Sequence, residues 1–143
     1  MRVLASILVI GISALMASCC SCRKGSPKVG DLESAKWELI EFEGQPVLGA
    51  PITLTFDGAK KMMYGTAPCN NFFGGYSLFE KTENNIKISG VGSTRKFCPD
   101  NMELEENFTS KIDDVTRIKM EGSNMLMMDN DGRLVAVFKS ASK

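Results

Sequence analysis

The spacing of apolar residues indicates the fold class of this chain, because it follows a two-residue period at several places between residues 36 and 138. The segments ITLTF (52–56) and NIKIS (85–89) alternate apolar and polar side chains, as strands with one buried face do. Six further short segments are strand candidates: KWELIEFEG (36–44), KMMYG (61–65), GYSLF (75–79), TRIKM (116–120), NMLMMD (124–129) and RLVAVF (133–138). The fold class is therefore predicted to be mainly β, with about eight short antiparallel strands and a bulge near the end of the first.

One segment, residues 99–115, has a helical period instead. Its apolar residues are spaced by four, four and three positions: Leu104, Phe108, Ile112 and Val115. Such a stripe must pack on an apolar surface, and the concave face of the sheet is the largest one available. We therefore expect a small antiparallel, barrel-like sheet with one packed amphipathic helix.

The amino terminus has the form of an export signal. Arg2 precedes an uncharged, mostly apolar run over residues 3–16, which is shorter than the roughly 20 residues that a membrane-spanning helix needs. The run ends in Ala17, Ser18 and Cys19, and this small-small-Cys ending resembles the lipobox of bacterial lipoproteins. We predict a lipoprotein signal peptide over residues 1–18 and lipidation of Cys19. Cleavage at Cys20 and an ordinary secretory signal are the alternatives.

The residues after the signal predict a tethered domain. Residues 19–35 are rich in Gly, Ser, Pro and Lys and show no apolar period, so they are predicted to form a lipidated flexible tether. The domain then spans residues 36–143, a normal size for a single core. A lipid anchor places it in the bacterial cell envelope, and the lack of aspartate after Cys19 favours the outer membrane facing the periplasm if the cell is Gram-negative. Basic residues are scattered along the chain, so no nucleic-acid partner is expected.

Cys69 and Cys98 are the only cysteines inside the predicted domain. Export to an oxidising compartment predicts a disulfide between them, which would close a loop of about 30 residues and stabilise the fold by about 3 to 4 kcal/mol. A redox-active or metal-binding pair is the alternative. The chain has no histidine, and two thiols alone do not complete a zinc site. We therefore expect no metal and no other cofactor.

The segment APCNNFFGGY (67–76) is the candidate binding corner. Asn70 can close a turn with its side chain, and Gly74 with Gly75 fits a tight turn. Phe72 and Phe73 are adjacent, and we expect both to pack beneath the disulfide. The alternative is that at least one ring is exposed and anchors a partner, which makes Asn70, Phe72 and Phe73 the candidate binding residues.

Taken in order, these segments resemble the META domain family, which includes the heat-shock lipoprotein HslJ. CNNFFGGY (69–76) looks like the family's C-N-x-x-x-G-x-Y signature, and STRKFC (93–98) followed by MELEENF (102–108) is similar to its T-x-x-x-C segment and Glu-rich helix. The resemblance covers about residues 36–138. It implies a small barrel-like fold with one helix, a disulfide where Cys69 and Cys98 lie, and a link to envelope stress. It supplies no catalytic residues.

The sequence favours a protein that is not an enzyme. Without histidine, a Ser-His-Asp or Cys-His arrangement is impossible. Glu105 and Glu106 are neighbours on the predicted helix and point in different directions, so we expect them on its solvated face. We predict a membrane-anchored envelope lipoprotein with a binding or stress-tolerance role. Its partner would be an envelope protein or a small apolar ligand bound in the barrel, and a purely structural envelope protein is the alternative.

Overall fold

A computed structural model describes residues 29–49, 51–79, 84–100 and 102–141. The predicted signal peptide, the lipidation site Cys19 and the alternative site Cys20 lie outside these residues. Within the described ranges the chain forms nine strands, two α-helices and one 3-10 turn. None of the helices in the described part is long and apolar enough to cross a membrane.

One helix precedes the first six strands, and a second helix separates them from the last three. The elements are α1 (Val29–Ser34), β1 (Lys36–Phe42), β2 (Gln45–Pro46), β3 (Thr53–Asp57), β4 (Met62–Thr66), β5 (Asn71–Leu78), β6 (Ile86–Ser93), α2 (Met102–Lys111), the 3-10 turn (Ile112–Asp114), β7 (Arg117–Glu121), β8 (Asn124–Met128) and β9 (Leu134–Ala141). The eight predicted strand segments all overlap strands of the structure. β2 is an additional strand of two residues.

The strands form one antiparallel sheet in the order β6-β5-β4-β3-β1-β9-β8-β7, and β2 pairs with β1. The sheet curls so that its edge strands β6 and β7 touch at one isolated bridge, where Ile86 N donates to Thr116 O at 3.0 Å and Ile118 N donates to Asn84 O at 2.8 Å. The predicted small antiparallel, barrel-like sheet is confirmed. The predicted bulge is present as well, as a register shift of β1 against β9 between Leu39 and Glu41.

The helix α2 fills the concave side of the sheet. Phe108 is 1 % exposed and makes edge-to-face ring contacts with Phe42, Phe72 and Phe138, with centroids 5.4 to 6.1 Å apart. Such contacts add to the free energy that burial of the rings already provides. Ile112 and Val115 are also buried. The predicted apolar stripe is therefore the face that α2 and the turn after it present to the core.

The folded region begins earlier than predicted. Residues Val29–Ser34, part of the predicted tether, form α1, and Leu32 on this helix is only 2 % exposed. The indole nitrogen of Trp37 donates to the carbonyl oxygen of Leu32 at 3.1 Å. The polar composition of residues 19–35 concealed this contact, because one leucine in a mostly polar segment gives no apolar period. The rest of the predicted tether lies outside the described residues.

Gly74 and Gly75 do not form the predicted tight turn. Both lie inside β5, where the register against β6 shifts between Phe73 and Gly75. A Cβ on Gly74 would lie 2.9 Å from the Met63 methyl and 3.1 Å from a Val91 methyl, closer than packed atoms normally approach. This glycine therefore serves close packing beside a bulge, one of the roles of glycine within strands.

Candidate functional site

The predicted disulfide is present between Cys69 and Cys98, whose Cα atoms are 6.0 Å apart. It joins the β4–β5 connection to the segment that precedes α2. We call this region the disulfide corner; it comprises residues 67–70, residues 94–98 and the first turns of α2. A pocket of about 370 Å³ lies beside it, lined in part by Arg95, Phe97 and Thr109.

Asn70 is a structural residue of the disulfide corner. It is 5 % exposed, and its Oδ1 accepts hydrogen bonds from Thr94 Oγ1 at 2.8 Å and Lys96 N at 2.7 Å. Its Nδ2 donates to Lys96 O at 3.3 Å. Both ends of the amide are thus occupied in holding residues 94–96 against the β4–β5 connection. The predicted turn-closing role is close to this one, and at 5 % exposure Asn70 presents little surface to a partner.

Glu105 is the residue of the corner that sequence reasoning misplaced. It is 5 % exposed rather than solvated, and its Oε2 accepts from Cys69 N at 3.2 Å and from Asn70 N at 3.0 Å. A carboxylate that accepts buried backbone N–H groups makes strong, charge-assisted hydrogen bonds. The available signal was the spacing of residues 105, 108, 112 and 115, which places Glu105 on the buried face of α2.

Phe72 and Phe73 lie on opposite faces of β5, because successive side chains of a strand alternate. Phe72 is 2 % exposed and packs on Phe108 in the core, whereas Phe73 is 45 % exposed. The expectation that both rings are buried is therefore wrong for Phe73. The three candidate residues do not converge on one site, since Asn70 is bonded within the corner, Phe72 is core and Phe73 faces outward.

Phe73 instead belongs to a row of outward-facing residues that crosses four strands. The row runs in register through Thr55 on β3, Tyr64 on β4, Phe73 on β5 and Gly92 on β6. Tyr64 is 40 % exposed. The Phe73 ring lies against the backbone of Gly92, with Cζ 3.0 Å from the position that a Cβ would take there. We call this convex surface of β3 to β6 the outer face. Tyr64, which the sequence analysis did not select, is its second exposed ring.

A second group of interacting polar side chains lies at the opposite end of β4 from the disulfide corner. Glu33 of α1 accepts a hydrogen bond from Tyr76 Oη at 2.7 Å, and its carboxylate lies 3.3 Å from Lys61 Nζ. Burial of the phenol, together with the Glu33 carboxylate, holds the pKa of Tyr76 well above its usual range. We call Glu33, Lys61 and Tyr76 the base cluster. It attaches α1 to the sheet through side chains.

A third group of charges surrounds the turn between β8 and β9. Arg133 Nε lies 2.8 Å from Asp129 Oδ2, and its Nη2 lies 2.9 Å from Asp131 Oδ2. The hydrogen bond that the Arg133 side chain donates to Asp129 holds the pKa of this carboxyl below its usual value. The adjoining pocket of about 540 Å³ also has Lys111 on its wall. Over the ranges that the structure describes, no three His, Cys, Asp or Glu side chains are grouped to hold a metal ion.

With this architecture defined, comparison with known proteins gives the family. The META domain model matches residues 30–142, which is most of the chain. The chain belongs to the META domain family. The match also agrees with the observed start of the META domain at α1, ahead of the predicted boundary at residue 36.

Solved structures share the fold of this META domain at low sequence identity. A protein from Burkholderia xenovorans, determined by NMR, is similar with a TM-score of 0.60 and 20% identity, over 78% of this chain and 85% of that one. A crystal structure of a DUF4847 family protein from Bacteroides vulgatus is similar with a TM-score of 0.57 and 13% identity, over 78% of this chain and 96% of that one. No curated protein matches the chain. At these identities the structural likeness concerns the fold alone.

Proposed function

We propose that this META domain protein is a lipid-anchored protein of the bacterial cell envelope that acts by binding a partner at its outer face, without catalysis. The anchor is the acylated Cys19, and the outer membrane facing the periplasm is its location in a Gram-negative cell. The role that the family resemblance implies is tolerance of envelope stress.

The exposed rings of Tyr64 and Phe73 carry the proposal. Exposed aromatic side chains that neighbour each other on a rigid sheet are typical anchors of binding surfaces. Tyr64 and Phe73 pair in register on the two central strands of the outer face, so their separation is set by the sheet. A protein with a purely structural role gains no stability from aromatic rings that are exposed to water. The exposure of Tyr64 and Phe73 therefore disfavours the structural alternative.

Packing of the barrel disfavours the alternative of an apolar ligand inside it. The space between the sheet and α2 contains the Phe108 ring and its three aromatic neighbours, and Met63, Met125 and Met127 are fully buried around them. A barrel that holds a ligand needs unfilled interior volume. The two pockets described above lie at the surface and are lined largely by polar and charged side chains, whereas ligand pockets are predominantly apolar.

The amino-terminal sequence supports the anchor. A chain that starts at Cys19 reaches α1 after ten residues, 19–28, which span up to about 33 Å when extended. Two or more acyl chains bind a bilayer lastingly, whereas one binds it only marginally. The Cys69–Cys98 disulfide is consistent with an oxidising compartment.

Intact-mass measurement of the protein extracted from its own membrane tests the anchor. We expect a chain that begins at Cys19 and carries acyl groups, with a gain of two hydrogens from reduction of the Cys69–Cys98 disulfide. The Cys19→Ser variant should lose both the acyl mass and the membrane fraction, and Cys20→Ser serves as the matched control. An unmodified chain in the soluble fraction would contradict the anchor.

Complementation of a deletion strain tests the binding role separately. The double variant Tyr64→Ala/Phe73→Ala should reach the membrane at the normal level and yet fail to restore survival under envelope stress. Normal survival with this variant would show that the outer face is not the functional surface.

A further inference from the structure

Eleven residues of the outer face form a platform of three rows. Two rows flank the row that contains Tyr64 and Phe73, and both follow the register of the sheet. The first comprises Thr53, Thr66 and Asn71, and the second comprises Asp57, Met62, Gly75 and Ser89. Gly75 and Gly92 carry no side chain, and the tip of the Phe73 ring lies over Gly92.

Charge decides which partners this platform fits. Among the eleven residues of the three rows only Asp57 is charged. The Lys60 side chain reaches over the same face, with Nζ 3.3 Å from the Asp57 carboxylate and 6.0 Å from the centroid of the Tyr64 ring, so the two charges balance each other. Nucleic acids and anionic membrane surfaces are bound through clusters of Lys and Arg, which these rows lack. The partner that matches the outer face is therefore an uncharged one.

The size of the platform argues against a protein as that partner. Four strands about 4.8 Å apart and three rows about 7 Å apart give a surface of roughly 14 by 14 Å. This area is about 200 Å², whereas a specific protein interface buries about 800 Å² on each partner. A narrow ligand that follows the platform fits better than a second folded protein.

Polar groups on the platform are positioned to bind hydroxyl groups. The Asn71 amide and the Ser89 hydroxyl are exposed and have no hydrogen-bond partner among the described residues. Thr53 and Thr66 share one hydrogen bond at 2.6 Å, which leaves further acceptor capacity on both oxygens. These groups surround the two rings at distances set by the sheet.

We propose that the outer face binds a neutral oligosaccharide chain. The C–H groups on the face of a pyranose ring carry partial positive charge, so they are attracted to the negative face of an aromatic ring. Successive sugar rings stack on Phe73 and on Tyr64, where they displace the exposed Lys60 side chain from the ring face. Their hydroxyl groups bind Asn71, Thr66 and Ser89 at the edges. This inference rests on the proposed function, because it names the partner of the same face.

Calorimetric titration of the full-length chain in detergent with chitohexaose, cellohexaose and maltohexaose tests the proposal. We expect at least one of these neutral chains to bind, and we expect Tyr64→Ala and Phe73→Ala each to weaken that binding by about tenfold. Phe73→Trp should retain it, because the aromatic face remains. The matched control is Phe97→Ala, which removes a ring that is 81 % exposed beside the disulfide corner rather than on the outer face.

The possible results distinguish the oligosaccharide proposal from the proposed lipid anchor. Failure of all three oligosaccharides to bind, or equal binding by the double variant Tyr64→Ala/Phe73→Ala, overturns the oligosaccharide proposal. A dimer in solution that Phe73→Ala dissociates also overturns it, because a second copy would then cover the face. Oligosaccharide binding by a chain that lacks acyl groups would leave the inference standing while the proposed anchor fails. Circular dichroism of each variant checks that these surface changes leave the fold intact.

Discussion

The two ends of β4 each connect a helix to the sheet through one glutamate, but the two glutamates use different kinds of donor. At the disulfide corner, Glu105 of α2 accepts from the backbone N–H groups of Cys69 and Asn70. At the base cluster, Glu33 of α1 contacts the side chains of Tyr76 and Lys61. Glu105 is 5 % exposed, whereas the Glu33 side chain is 24 % exposed.

This difference predicts unequal contributions to stability. Backbone donors cannot turn away, so loss of the Glu105 carboxylate leaves two N–H groups at the corner without their partner. Side-chain donors can rotate towards water, and Lys61 is largely exposed already. We therefore expect substitutions at the disulfide corner to cost more stability than equivalent substitutions at the base cluster.

The largest expected effect is removal of the disulfide. The Cys69→Ala/Cys98→Ala variant should lower the free energy of unfolding by about 3 to 4 kcal/mol, because the unfolded chain regains the entropy of a loop with a sequence separation of 29. Urea denaturation measures this change, and Cys20→Ser controls for loss of a cysteine outside the described domain. A loss below about 1 kcal/mol would show that Asn70 and Glu105 hold the corner without the covalent bond.

Removal of the Glu105 carboxylate comes next. Glu105→Ala should cost about 2 to 3 kcal/mol, whereas Glu105→Gln should cost about 1 kcal/mol because its carbonyl oxygen still accepts both hydrogen bonds. The neighbouring exposed Glu106→Ala is the matched control and should stay within about 0.5 kcal/mol of the wild type. Equal losses for the Ala and Gln variants would mean that packing rather than hydrogen bonding accounts for the role of Glu105.

At the base cluster we expect smaller losses. Glu33→Ala and Tyr76→Phe each remove the same 2.7 Å hydrogen bond, and each should cost about 1 kcal/mol in urea denaturation. The double variant should cost less than the sum of the two single variants, because the second change removes a bond that is already lost. A Glu33→Ala loss as large as that of Glu105→Ala would break the comparison between the two ends.

The sequence predicted the parts of this fold that depend on local periodicity. Alternation located the strands, and the stripe through Phe108 located α2 and the face that it buries. The misses have a different physical origin. Gly74 looked like a turn residue because its role depends on Met63 and Val91 in the neighbouring strands. Helical spacing places Glu105 on the buried face, but the donor that allows a carboxylate to be buried there, Asn70 N, lies 35 residues away in the sequence.

The candidate site was predicted less well, for the same reason. The run Asn70 to Phe73 suggested one cluster, yet the strand begins at Asn71 and sends Phe72 and Phe73 to opposite faces. Whether Phe73 has an aromatic neighbour depends on the register of β5 against β4, which pairs it with Tyr64. Register depends on contacts across the sheet, and the spacing of residues within one strand does not specify it.

The smallest expected effect distinguishes the two ends by pH. Because the folded state raises the pKa of Tyr76 above its usual value of 10.0, it holds the phenolic proton more tightly than the unfolded chain does. This contribution to stability is complete below pH 10 and is lost as the pH rises further. Urea denaturation between pH 8 and about pH 11 should therefore show a decline that is weaker in Tyr76→Phe. Identical curves for wild type and Tyr76→Phe would contradict the raised pKa of Tyr76.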